Sequence, residues 1–181
     1  MALRATVFKA QLAVGDLDRD RHATHQLTIA RHPSETDERM MIRVLMFALR
    51  SSDRLAFGRG LSDVDEPDLI DRDLTGSIDL WIEVGLPDER AILKACGRAT
   101  RVVVMAYGHS VDLWWKGIAP GLARARNLDV IRVPSEESRA LAALAERSMD
   151  LQVTIQDGLV WFSSPKTTVE VHPELLMGGD C

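Results

Sequence analysis

The run Ser77–Val84 (Ser-Ile-Asp-Leu-Trp-Ile-Glu-Val) constrains the fold of this chain more than any other segment. Ile78, Leu80, Ile82 and Val84 fall on one face of an extended strand, with Asp79, Trp81 and Glu83 on the other. Upstream, Pro67–Asp71 supplies a second extended stretch, and Thr75-Gly76 offers a turn between them, which predicts an antiparallel hairpin. Downstream, Pro87-Asp88 starts a helix that ends near Arg98, and Arg101–Tyr107 is an apolar strand. A helical stretch broken at Gly117 and Pro120 follows, then a short strand at Val130–Val133. Strand–helix–strand order of this kind calls for parallel pairing, so part of the sheet is expected to be parallel.

The ends of the chain are β-rich. Residues 5–14 and 24–30 read as an N-terminal hairpin turning at Gly15-Asp16, while Leu151–Ile155, Leu159–Ser163 and Thr167–Val171 read as C-terminal strands. Ser34 is placed to cap a helix running to about Arg50, with Asp37 completing a capping-box pattern. The apolar stripe of that helix includes Met41, Ile42, Leu45, Ala48 and Leu49. A further helix starts at Pro134-Ser135 and runs to about Arg147. With 181 residues, 46% of them hydrophobic, a single α/β domain spanning 1–181 is expected: a mixed β-sheet flanked by helices, with additional N- and C-terminal β-hairpin strands. No stretch is apolar and long enough to span a bilayer, and the first residues lack an export-type hydrophobic run. Cys96 and Cys181 are too few for a disulfide framework, so reduced thiols in a cytoplasmic protein are expected.

The hairpin carries the candidate chemistry. If Thr75-Gly76 centres the turn, Asp68 faces Glu83, and two opposed carboxylates repel unless a cation or proton intervenes. A hard divalent ion such as Mg²⁺ accepts such oxygen donors with few protein ligands and can activate a bound water. A slip of one residue would put the two acids on opposite faces and dissolve the site. Glu38, in the first turn of the helix after Ser34, is a third acid on the side facing the sheet; attraction to the helix N-terminus alone accounts for it equally well. Glu35 shares its side with Arg39 and reads as a solvated i,i+4 pair. Arg90, Lys94 and Arg98 recur every four residues, either as a solvated helix face or as a stripe from which Lys94 reaches back toward Glu83. Only four lysines, Lys9, Lys94, Lys116 and Lys166, stand against 18 arginines, and the net charge of −5 argues against a protein whose main task is gripping nucleic acid.

Ala5-Thr6, Lys9-Ala10, Leu27–Met41, Gly60-Leu61, Glu66-Pro67, Asp79–Cys96 and Thr154–Gly158 together resemble the YaeQ family of bacterial proteins along essentially the whole chain. The family is similar to a branch of the restriction-endonuclease-like superfamily, which implies a restriction-endonuclease-like core and a PD-(D/E)XK-type site. By that resemblance Pro67-Asp68 and Glu83 are the two halves of the motif, and Glu38 is the acid on the first core helix. Gly85 stands where the motif has lysine, and Lys94 is the residue to which the lysine would have moved. The resemblance therefore implies a nuclease or phosphodiesterase-like protein with Glu38, Asp68 and Glu83 on Mg²⁺ or Mn²⁺ and Lys94 as the catalytic cation. The alternative is a non-catalytic regulatory protein on the same scaffold, binding nucleic acid or a protein partner.

Overall fold

The computed structural model describes residues 4–59 and 65–179. Gly60-Leu61 and Cys181 lie outside the described residues. The predicted N-terminal hairpin pairs β1 (Thr6–Asp16) with β2 (Arg21–Arg31) antiparallel, Phe8 opposite Ile29 and Leu12 opposite His25. Thr36, two residues later than expected, caps α1 (Asp37–Arg50): its side chain accepts from Arg39 N, while Ser34 bonds the His32 ring instead. Then come β3 (Ala56–Phe57), β4 (Leu69–Arg72), β5 (Ile78–Val84), α2 (Glu89–Cys96) and β6 (Ala99–Tyr107). The chain continues through α3 (Val111–Leu122), β7 (Leu128–Val133), α4 (Ser135–Ala142), β8 (Ser148–Gln156), β9 (Leu159–Ser163), β10 (Thr168–Val171) and β11 (Glu174–Met177).

The strands divide between two mixed sheets. One runs β10-β9-β8-β1-β2 and the other β11-β7-β6-β5-β4-β3. In the second, β5, β6 and β7 are parallel neighbours, as the strand–helix–strand order predicted, and β4–β5 is the expected antiparallel hairpin. Its register has Leu69 opposite Ile82 and Ile70 opposite Trp81, with an irregularity after Asp71. The turn is fixed by Asp73, whose carboxylate accepts from Thr75 N and Ser77 N, and by Gly76 at φ +89°.

α1 lies between the sheets. Met40 through Ala48 are all buried, against Phe8, Leu12 and Ile29 of the first sheet and Leu69, Ile82 and Val103 of the second. The apolar stripe read from the sequence is therefore only one side of a helix enclosed on nearly all sides. A second core, around Val102, Val104 and Val130, packs Ile92 of α2 and Leu122 of α3 on the outer face of the second sheet. It also buries Trp81, which sequence alternation had placed with the polar residues. α3 is continuous through Gly117 and Pro120; Pro120 lies in the last turn, where its missing N–H leaves the Lys116 carbonyl without its helical donor but affects no more than the final residues of the helix. α4 stops at Ala142, earlier than expected. β3, of two residues, is too short to leave a periodic signal, and β11 (Glu-Leu-Leu-Met) lacks the alternation that would mark a strand.

Candidate functional site: a carboxylate–guanidinium cluster beside a charged cavity

Asp68 sits one residue before β4, held by main-chain bonds on both sides: its N–H donates to Ile82 O and its carbonyl accepts from Gly58 N, each at 2.9 Å. Gly58 permits this approach, since a Cβ there would overlap the Pro67 carbonyl. The Asp68 side chain is 5% exposed, and both its oxygens have donors. Oδ1 accepts from Arg39 Nη2 at 2.6 Å and Oδ2 from Val84 N at 2.7 Å.

Arg39 is the residue that sequence reasoning missed. Its guanidinium joins Asp68 to Glu35 Oε1 at 3.0 Å and to the Val84 carbonyl at 3.3 Å. Glu35 is not the solvated partner expected of it: it is buried and takes two further bonds at 2.8 Å from Arg43, which is itself 1% exposed. The cause is the enclosure of α1, since charges carried between two sheets must be paired with each other. The carboxylates of Asp68 and Glu35 raise the Arg39 pKa against the opposing effect of burial, so it is a permanent cation.

Glu83, on β5, is partly buried and accepts from Trp81 Nε1 at 2.7 Å. Burial pushes its carboxyl up to about 7; the Trp81 bond opposes this, the nearby Asp68 charge adds to it and Arg39 offsets part of it. Asp68 and Glu83 are thus electrostatic neighbours, as the hairpin reading required. Glu38 is directed elsewhere: its Oε1 accepts from Ser138 Oγ of α4 at 2.6 Å. Tyr107, at the end of β6, lies near Glu38 and Arg39 and bonds Thr36, and its phenol is pushed up chiefly by burial.

The α2 side chains meet Glu83 across a cavity of about 310 Å³, lined by Trp81, Glu83, Asp88, Arg90, Lys94 and Arg98. Lys94 pairs with Asp65 on the same cavity wall, and Arg98 lies over the Trp81 ring at 4.9 Å. The Arg90–Lys94–Arg98 stripe therefore borders the Glu83 site. Gly85 has φ +114°, a conformation that L side chains rarely adopt, so a lysine where the resemblance implied one would strain the backbone.

The three expected metal ligands do not form one donor set. Among the described residues no three His, Cys, Asp or Glu side chains converge as a metal-binding group. Glu38 is bonded to α4, and Asp68 is already matched by an arginine and a backbone amide. The side chains as arranged do not fit the Mg²⁺ or Mn²⁺ centre that the resemblance implied.

Fold and site define a two-sheet mixed α/β protein with a charge-compensated carboxylate cluster at the hairpin and a cavity lined by both acids and cations beside it. The chain belongs to the YaeQ family: the model for "YaeQ protein" matches residues 1–173. "Uncharacterized protein YaeQ" of Escherichia coli (strain K12) is 45% identical over 173 residues, 95% of this chain and 96% of that protein. The Salmonella typhi protein of the same description is 46% identical with the same coverage. The crystal structure of YaeQ protein from Xanthomonas axonopodis pv. citri superposes with a TM-score of 0.94 at 49% identity, over 97% of this chain and 99% of that one. The YaeQ protein from Pseudomonas syringae gives 0.93 at 37% identity, over 97% of each chain. No helix of the described residues is long and apolar enough to cross a membrane.

Proposed function

We propose that the cavity between β5 and α2 receives a phosphodiester and that the protein is a nuclease-like phosphodiester hydrolase. The observation that carries this reading is that Glu83 of β5 and Lys94 of α2, the next element, line one cavity together with Arg90 and Arg98. Arg90, Lys94 and Arg98 are the groups able to face a phosphate and the charge that grows on its oxygens during attack; Asp65, Glu83 and Asp88 line the same cavity, and Lys94 pairs with Asp65. Glu83, with its carboxyl near 7, suits proton exchange with an attacking water at neutral pH. The water oxygen bonds to phosphorus as the bond to the leaving oxygen breaks. Glu83 takes the water proton, and the leaving oxygen, in line on the far side of phosphorus, takes a proton from solvent. Because the described donor set does not fit a metal centre, no step is assigned to Mg²⁺ or Mn²⁺.

Incubation of the protein with single-stranded DNA, duplex DNA and RNA, in Mg²⁺, Mn²⁺ or EDTA, tests the reading. Cleavage is expected with at least one substrate, abolished by Glu83→Ala and reduced by Lys94→Ala. Absence of any cleavage that depends on Glu83 sinks it.

A second reading is favoured by the Arg39–Asp68 pair, which neutralises one half of the motif. In it the scaffold binds nucleic acid or a protein partner without catalysis. Tight binding that survives EDTA, Glu83→Ala and Asp68→Asn alike selects this reading.

A further inference from the structure

We infer that Arg39 is the resident cation of the Asp68 site, and that its guanidinium and a divalent metal ion exclude one another there. This concerns what neutralises Asp68 and does not depend on whether the neighbouring cavity cleaves a phosphodiester.

The first observation is occupancy. Arg39 Nη2 approaches Asp68 Oδ1 at 2.6 Å while the Val84 amide takes Oδ2 at 2.7 Å. Each oxygen keeps a second lone pair, but a metal ion that uses the one on Oδ1 lies against the Arg39 cation, whose charge repels it. Asp68 is 5% exposed, so the ion would also have to shed water to reach it, and Mg²⁺ sheds water reluctantly.

The second observation is that Arg39 is built in. Its other amino group is held by Glu35 at 3.0 Å, and Glu35 is clamped by the Arg43 fork. To swing away from Asp68 the side chain must also give up its Glu35 bond, although Arg43 still holds both Glu35 oxygens. Two arginines and two carboxylates leave this buried group formally neutral. A dication added to it brings surplus positive charge into a region with little water to screen it.

The third observation is where α1 aims its first turn. Glu38 and Arg39 are adjacent, and the helix turns Glu38 toward Ser138 of α4 and Arg39 toward the hairpin. The side chain that α1 presents to Asp68 is thus a cation, where the resemblance had implied an acid.

Manganese binding to purified protein, followed by electron paramagnetic resonance, reads the inference without any assay of activity. Wild-type protein is expected to show no Mn²⁺ site that Asp68→Asn removes. Arg39→Met is expected to gain such a site with at least about tenfold higher affinity, and Asp68→Asn in that background is expected to remove the gain. Failure of folded Arg39→Met to gain Mn²⁺ overturns the inference, as does an Asp68-dependent site in the wild type that Arg39→Met leaves unchanged. A nuclear magnetic resonance titration of the wild type needs no variant. The Val84 amide and the Arg39 guanidinium signals are expected to hold their positions in millimolar Mg²⁺. A Mg²⁺-dependent shift at Val84 with Arg39 still bound also overturns the inference.

Discussion

Glu83→Gln converts the environment of one carboxyl into a measurable free energy. In the folded chain burial raises this carboxyl from its ordinary 4.5 to about 7. Below about pH 4.5 the group is neutral in both folded and unfolded chains, and the native state pays no charge penalty. Between the two values the unfolded chain releases its proton first, so native stability falls as pH rises, and the loss is complete above the folded value. At about 1.4 kcal/mol per pH unit of separation, the ionised carboxylate costs the fold about 3 kcal/mol at alkaline pH. Glutamine carries no charge to desolvate, and its carbonyl still accepts the Trp81 Nε1–H bond. Urea denaturation in EDTA, run on both proteins from pH 4.5 to 8, should show the variant's advantage over wild type growing by about 3 kcal/mol. Comparing the two proteins at each pH cancels the titration of other groups. A stability difference that stays flat across this range would refute the claim that burial governs Glu83.

Gly85→Lys restores the motif on paper but should destabilise the protein by about 1–3 kcal/mol, because φ +114° strains any side chain although nothing crowds the position. Thermal melting checks this, and cleavage should not increase. Arg43→Met should cost about 3–5 kcal/mol by weakening the compensation of buried Glu35. Glu35→Gln in the same background should recover much of that loss in a denaturation cycle. Ser138→Ala, which removes the bond from α4 to Glu38, should cost about 1 kcal/mol in the same assay.

The hairpin was legible because its signals are local: alternation in Ser77–Val84 and turn residues before it mark the two strands. The turn itself spans Asp73–Gly76, one step earlier than Thr75-Gly76 as its centre, and the irregularity after Asp71 restores the register that makes Asp68 and Glu83 neighbours. The role of Arg39 was not, since Glu35 and Arg39 at i,i+4 look like any solvated pair until the surroundings of the helix are known. A clue was present. From Met40 to Ala48 only Arg43 is polar, and a helix apolar all round is an enclosed helix. On that view Glu35, Arg39 and Arg43, four residues apart along one side, could be read as an internal charge ladder. Gly85 looked like a missing lysine because a sequence shows residue types and not the sign of φ. The division into two sheets was hidden as well, since the neighbour that β1 finds in β8 is supplied by the far end of the chain.

That partnership governs the order of assembly. β1 pairs in parallel with β8 from Lys9↔Ser148 to Asp16↔Ile155, so the first strand synthesised waits for one of the last. Until then the β1–β2 hairpin has an open edge, and α1 has only part of its enclosure. Pairing of such remote segments slows folding and prolongs the exposure of strand edges to other chains. Refolding of the first sheet should therefore follow formation of the local β5-α2-β6-α3-β7 unit, and a chain cut before β8 should aggregate through β1.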